Sequence, residues 1–227
     1  MKYSYGIILK CNDKYLIVQN RDSEAFIYFF FANIRKWSKP QFRRLFDEFS
    51  FEEKQRLLYL PFHEVYMDLY VNHDSSKHHN KYLYANDNYN YLHSSPDLIS
   101  ILKSSYSKHI PWIFPKGRIE KDENEVDCAV REFQEETCLT IDKNLVDPNR
   151  YIEYKQFKRF YNFELTTRLY IVEIDKILDI KYQWFHGLIR SFSVSNEIQY
   201  ATWVHDYELK HYLLGTLYYN LRPILKS

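Results

Sequence analysis

Three glutamates, Glu132, Glu135 and Glu136, stand three and four positions apart in the run EVDCAVREFQEETCL. On an α-helix those spacings bring side chains onto one face. Val126, Ala129, Val130 and Phe133 are apolar and can pack inward, so the helix is amphipathic with a carboxylate edge. Clustered carboxylates repel one another, and near a helix C-terminus the macrodipole disfavours them further. A positive partner must compensate. A hard divalent cation, Mg²⁺ or Mn²⁺, meets that need because such ions take oxygen ligands, and substrate phosphates would complete the coordination. The three glutamates alone also fit a solvated acidic helix surface, which is the commoner use of a charge run.

The flanking residues turn the balance toward chemistry. The run Trp112–Phe114 stops at Pro115, and Lys116 and Gly117 then supply a cation and a backbone that a ligand can approach closely. Glu123 lies eight residues before Arg131, and a pair between them would pin the loop to the helix. The run fits the pattern G-x5-E-x7-R-E-U-x-E-E-x-G-U at Gly117, Glu123, Arg131, Glu132, Phe133, Glu135, Glu136 and Leu139. In this it resembles the Nudix box. Cys138 departs from it, standing where the family has a glycine that ends the helix in the left-handed conformation. A cysteine there implies mild strain or a different helix end, and it removes no ligand. Nothing in the sequence pairs Cys138 with a base, so it is not read as a nucleophile.

Within that family, residues 112–139 look most like the catalytic segment of mRNA-decapping enzymes. The W-x-F-P-K-G start is Trp112–Gly117, K-D-E is Lys121–Glu123, and D-C-A-x-R-E is Asp127–Glu132. Downstream, Asn196-Glu197-Ile198 followed by Trp203 resembles the N-E-I-x-x-x-x-W strand of those enzymes. The stretches LIVQNRDSEAF and FSFEEKQRLL are similar to the decapping proteins of large cytoplasmic DNA viruses, the asfarvirus type above all, with poxvirus enzymes more distant.

The resemblance implies an α+β chain with the Nudix α/β/α sandwich and its mixed sheet. The Nudix domain would comprise residues 1–21 and 111–227, interrupted by a helical insertion lobe at 22–110 that serves the RNA or the cap. It implies hydrolysis of the 5′ cap pyrophosphate linkage, releasing 7-methyl-GDP and 5′-monophosphate RNA. Capped mRNA would be the partner, and free 7-methylguanosine nucleotides would compete. Mg²⁺ or Mn²⁺ would be held by Glu132, Glu135, Glu136 and Glu197 beside Gly117. Glu197 would take the proton from water, and Lys116 and Arg118 would offset phosphate charge. Glu123 and Arg131 would be structural.

A 7-methylguanine ring is cationic and suits aromatic faces. Phe26, Tyr28, Tyr154 and Phe157 are the candidates. RNA contacts are assigned to Arg118 and to Arg35, Lys36, Lys39, Arg43 and Arg44 of the insertion. An ordinary solvated helix face explains the insertion residues equally well.

These residues need elements to position them. SYGIILK and KYLIVQ read as strands around an Asn12-Asp13 turn. Residues 22–60 read as helices, with Pro40 opening one and Ser50/Glu53 forming a capping box at another. Residues 72–95 are polar and read as a loop or mobile lid, followed by a helix after Pro96. The motif helix covers 124–137, strands cover 150–157, 163–174 and 197–204, and a closing amphipathic helix covers 207–222.

The bulk numbers set bounds. In 227 residues, 45% hydrophobic, there is enough apolar material for a core without disulfides. A net charge of +1 gives no global nucleic-acid field, so RNA contact must come from a local patch. Three cysteines in no C-x-x-C spacing argue against zinc and for a reducing compartment. No signal-peptide pattern or membrane-length apolar run is present, which predicts a cytoplasmic protein without membrane contact. Two rival readings stand beside decapping: a Nudix hydrolase of diphosphoinositol polyphosphates or free nucleotides, and a non-catalytic RNA-binding protein. The intact acidic positions argue against the second.

Overall fold

Asn12, left-handed at φ 54°, and Asp13 turn the chain between β1 (Lys2–Cys11) and β2 (Lys14–Asn20). The computed structural model describes residues 2–69, 79–180, 182–185, 188–191, 198–213 and 215–225. They fall into two compact units, residues 1–21 with 111–227, and residues 22–110.

In the first unit the later elements are β3 (Trp112–Ile113), β4 (Lys116–Arg118), α7 (Glu125–Thr137), β5 (Tyr151–Lys158), β6 (Phe163–Glu173), β7 (Tyr182–Phe185), β8 (Leu188–Ser191), β9 (Ile198–His205), α8 (Leu209–Tyr212) and α9 (Gly215–Leu225). Among the described residues the main sheet has seven strands, in the order β3-β2-β1-β6-β5, with β4 paired to β1 and β9 to β2. It is mixed: β1 runs parallel to β6 from Lys2 to Lys10, and the other pairs are antiparallel. β7 and β8 form a separate hairpin.

The pleat sorts the core into two layers. Tyr5, Ile7 and Leu9 of β1, with Tyr170 and Val172 of β6, pack against Cys128, Ala129 and Phe133 of α7. Ile8, Leu169 and Ile171 face the other way, onto Leu209, Leu213, Leu217 and Leu221. The unit is therefore an α/β/α sandwich within an α+β chain. The single closing helix expected at 207–222 is two helices. Leu213 is extended (φ −84°, ψ 148°) and bridges Trp112, which breaks the backbone while leaving the apolar spacing unchanged.

The second unit is helical among its described residues: α1 (Glu24–Phe31), a short 3₁₀ turn (Ile34–Lys36), α2 (Lys39–Phe46), α3 (Phe51–Tyr59), α4 (Phe62–Leu69), α5 (His79–His93) and α6 (Pro96–Ser104). Phe26, Phe29, Phe30, Phe46 and Phe49 are wholly buried and meet ring on ring. The expected loop at 72–95 is corrected over its described part, where α5 forms. Its buried positions Ala85, Asn88 and Leu92 follow helical spacing. Asn88 hides the signal by being polar: its amide donates to the carbonyls of Phe29, Phe30 and Ala32, each at 3.0 Å, satisfying the end of α1.

Glu53 ties two helix starts together. In the Ser50 capping box it accepts the Ser50 N–H (2.7 Å), and it also accepts from the backbone N–H and hydroxyl of Ser23, the N-cap of α1. Burial pushes its carboxyl up to about 7, against the pull of those donors. A carboxyl raised above its unfolded value binds its proton more tightly in the folded state. That contribution is complete below about pH 4.5 and is lost as pH rises through about 7, some 3 kcal/mol in all. Urea titrations at pH 5 and pH 8 should show the loss in the parent and its absence in Glu53→Gln. Equal pH dependence in both chains would refute the assignment.

Candidate active site

The motif helix starts where Asn124 caps it, its side-chain oxygen accepting the Asp127 N–H at 2.9 Å. It ends at Cys138, left-handed at φ 57° and ψ 17°, whose N–H reaches the Gln134 carbonyl at 2.8 Å. The helix therefore stops as it would with the family's glycine, and the cysteine carries the strain, about 1 kcal/mol. Cys138→Gly should raise stability by roughly that amount in chemical denaturation. A neutral or destabilising result would show that the left-handed turn is unstrained.

Two carboxylates of α7 converge on two consecutive residues of β4. Glu136 is buried, and its Oε2 accepts the Lys116 N–H at 3.1 Å. Glu132 lies so close to Gly117 that a Cβ there would stand 2.0 Å from its carboxyl carbon and 2.1 Å from both oxygens. Only glycine allows this approach. β4 is in turn pressed onto β1 at a second glycine: a Cβ on Gly6 would meet the Pro115 carbonyl oxygen at 2.1 Å and Lys116 Cβ at 2.4 Å. The sequence reading missed Gly6, although a glycine inside a strand pattern is the signal for close backbone approach.

Arg131 is the hub of the site. It grips Glu123 with two bonds, Nε at 2.9 Å and Nη2 at 3.0 Å, and Nη2 also donates to the Arg118 carbonyl at 3.0 Å. That is the loop-to-helix pin expected from spacing. Nη1 additionally donates to Glu132 (2.8 Å) and Glu135 (3.0 Å), contacts the sequence reading did not assign. The hydrogen bond from Arg131 holds the Glu123 carboxyl below its usual range, and the carboxylates around Arg131 fix it as a cation. Burial, with Glu123 and Glu132 nearby, pushes the Cys128 thiol up to about 12, so it stays neutral.

The donor chemistry fits a hard divalent cation. The Glu136 carboxylate lies against the Lys116 N–H and the Glu132 carboxylate against Gly117, and Mg²⁺ takes one or two protein carboxylates plus water and substrate phosphate. Among the described residues no group of three or more His, Cys, Asp or Glu is placed to hold a metal ion, so Glu132, Glu135 and Glu136 are not gathered into one three-carboxylate ligand set. Glu197, the remaining expected ligand and base, lies outside the described residues.

The other end of α7 is fixed by Glu125. Tyr5 and Tyr170 donate to its two oxygens (2.9 and 3.1 Å), and Arg168 bonds it as well. Tyr5 is also the register partner of Gly117, so one β1 residue sets both β4 and the start of α7.

The aromatic candidates separate. Phe26 is corrected to a core residue: it is wholly buried, meets Phe30 and Phe49 edge-on, and has the Arg56 guanidinium 4.6 Å over its face. Tyr28 stacks on Trp37 at 5.9 Å. Tyr154 is corrected too, since it packs with the layer on the sheet face away from α7, where burial raises its phenol to about 12. Phe157 is 61% exposed, on the opposite face of β5 from Tyr154. Of the basic candidates, Arg35 pairs with Asp87 and Lys39 with Asp97, each at 2.6 Å, and Arg44 bonds the Pro40 carbonyl at 3.4 Å. Arg43 is half-buried, and Lys36 and Arg118 are exposed.

The Nudix domain family matches residues 95–211, just over half of the chain, and the sandwich, the box residues and the β4–α7 geometry agree with it. The chain belongs to the Nudix family. Among curated relatives it is similar to the mRNA-decapping enzyme subunit 2 of Saccharomyces cerevisiae, 30% identical over 140 residues, which is 56% of this chain and 12% of the yeast protein. It is also similar to the mRNA-decapping protein g5R of African swine fever virus, 27% identical over 128 residues, covering 55% of this chain and 52% of that protein. The chain thus spans a small part of the yeast relative and about half of the viral one. A solved Caenorhabditis elegans Ap4A hydrolase aligns over 99% of this chain and 95% of its own, with 11% identity and a TM-score of 0.48. Among the described residues no helix is long and apolar enough to cross a membrane.

Proposed function

We propose that the chain is an mRNA-decapping hydrolase that cleaves the cap pyrophosphate linkage and releases 7-methyl-GDP and 5′-monophosphate RNA. The observation that carries the reading is the convergence of Glu132 and Glu136 on Lys116–Gly117, in a segment similar to enzymes named for decapping. Glu132 and Glu136 would hold Mg²⁺ or Mn²⁺, which when bound polarises phosphate oxygens and lowers the pKa of water. Glu135, bonded to Arg131 at the half-exposed rim, extends the acidic edge. Lys116, on the strand facing Glu136, and Arg118, at the exposed end of β4, offset charge building on the phosphates. Glu197 is the base assigned to the attacking water.

The test is product analysis with cap-labelled RNA in Mg²⁺ or Mn²⁺, run beside a diphosphoinositol polyphosphate and free nucleotides. Release of labelled 7-methyl-GDP, suppressed by free 7-methylguanosine nucleotide, is expected. Faster turnover of the inositol or nucleotide substrates would replace the reading with another Nudix substrate. RNA retained with no hydrolysis of anything would make the chain a binding protein.

A further inference from the structure

We propose that the β5–β6 hairpin is a platform for the single-stranded RNA body of the substrate, stacking bases on Phe157 and Tyr161 and neutralising phosphates with Lys158 and Arg159. This deepens the decapping reading and rests on it for the identity of the substrate. The segment KQFKRFYNF interleaves cations with rings around the turn between the two strands. Phe157 is 61% exposed and Tyr161 42%, more ring surface than a turn needs for its own packing. Arg159 lies over the Phe160 ring at 5.2 Å, and Lys2 lies over Phe163 at 4.1 Å. Exposed rings beside cations suit an unpaired strand, because every base offers a stacking face and every nucleotide a phosphate.

Charge complementarity selects RNA over an apolar or basic partner. Residues 155–163 carry the cations Lys155, Lys158 and Arg159 and no carboxylate, while next to them Glu164 pairs with Lys155 at 3.2 Å and Glu153 with Arg168 at 3.1 Å. The patch is also continuous with the active site through a single residue. Arg118 gives its carbonyl to Arg131 at 3.0 Å and places its guanidinium 5.8 Å from the Phe163 ring centre. Phe157 shares its sheet face with Arg168, whose guanidinium holds Glu125 of α7. An RNA whose 5′ phosphates reach β4 would therefore run onto the hairpin.

The experiment uses an uncapped, unstructured single-stranded RNA, so that binding is read without hydrolysis. In fluorescence anisotropy the triple variant Phe157→Ser/Lys158→Ala/Arg159→Ala should raise Kd at least about tenfold. The slope of log K against log salt should fall by about 1.4, for two lost phosphate contacts on a single strand. Parent-like affinity and slope would overturn the proposal. Should the triple variant misfold, photocrosslinking of 4-thiouridine RNA to the parent chain decides. Adducts on residues 157–161 support the platform, and adducts confined to residues 22–110 overturn it. Crosslinking at the hairpin without any cap hydrolysis would sink the decapping reading and leave the platform standing. Parent-like decapping of long RNA by the folded triple variant would do the reverse.

Discussion

Glu136→Gln is expected to turn over capped RNA about a thousandfold more slowly than the parent, roughly 4 kcal/mol in the barrier, with the fold intact. The side chain is buried and its Oε2 receives the Lys116 N–H. Glutamine has the same volume, and its carbonyl oxygen can still accept that bond. What disappears is the negative charge, which is the property a cation at this position requires. The measurement is single-turnover release of 7-methyl-GDP, accompanied by a thermal melt. A parent-like rate would remove Glu136 from the chemistry. A large fall in melting temperature would instead make it a structural residue.

The second large effect comes from one carbon. In Gly117→Ala the new methyl would stand 2.0 to 2.1 Å from the three carboxyl atoms of Glu132, well inside contact distance. The obstacle is the far end of a flexible side chain, so the backbone has no need to move. Glu132 would swing aside and give up its 2.8 Å bond to Arg131. Stability should change by less than about 1 kcal/mol while turnover falls about a hundredfold or more. The corresponding change at Gly6 is different in kind, because the Cβ there meets the carbonyl of Pro115 and the backbone of Lys116 and would prise β4 from β1. If Gly117→Ala kept full activity, the close approach of Glu132 to β4 would be irrelevant to catalysis.

What the sequence revealed divides by range. The α7 glutamates, the Glu123–Arg131 pair, the Asn12-Asp13 turn and the Ser50/Glu53 box depend on local spacing, and each was legible from it. Misreadings came where a distant contact chose the local state. α5 looks like loop because its central buried residue is Asn88, whose amide is spent on carbonyls of α1. Leu213 keeps a helix-like spacing with Leu209 and Leu217, yet it is extended because it meets Trp112. In the sequence Phe26 and Tyr154 are aromatic faces like any other, and only packing reveals that Phe26 is wholly buried and Tyr154 lies against a core layer. The Tyr5–Glu125–Arg168 anchor joins β1, α7 and β6, and it cannot be seen before strand register is known.

Arg131 has a consequence for how the chain survives before any ion arrives. Its single guanidinium already shares charge with Glu123, Glu132 and Glu135, so the acidic edge is not left repelling itself. On the proposed reading folding would not depend on the cation, unlike small metal-organised domains that collapse when chelated. Stripping with EDTA should silence the protein and barely move its melting point, leaving a reversible reagent slot rather than a rivet.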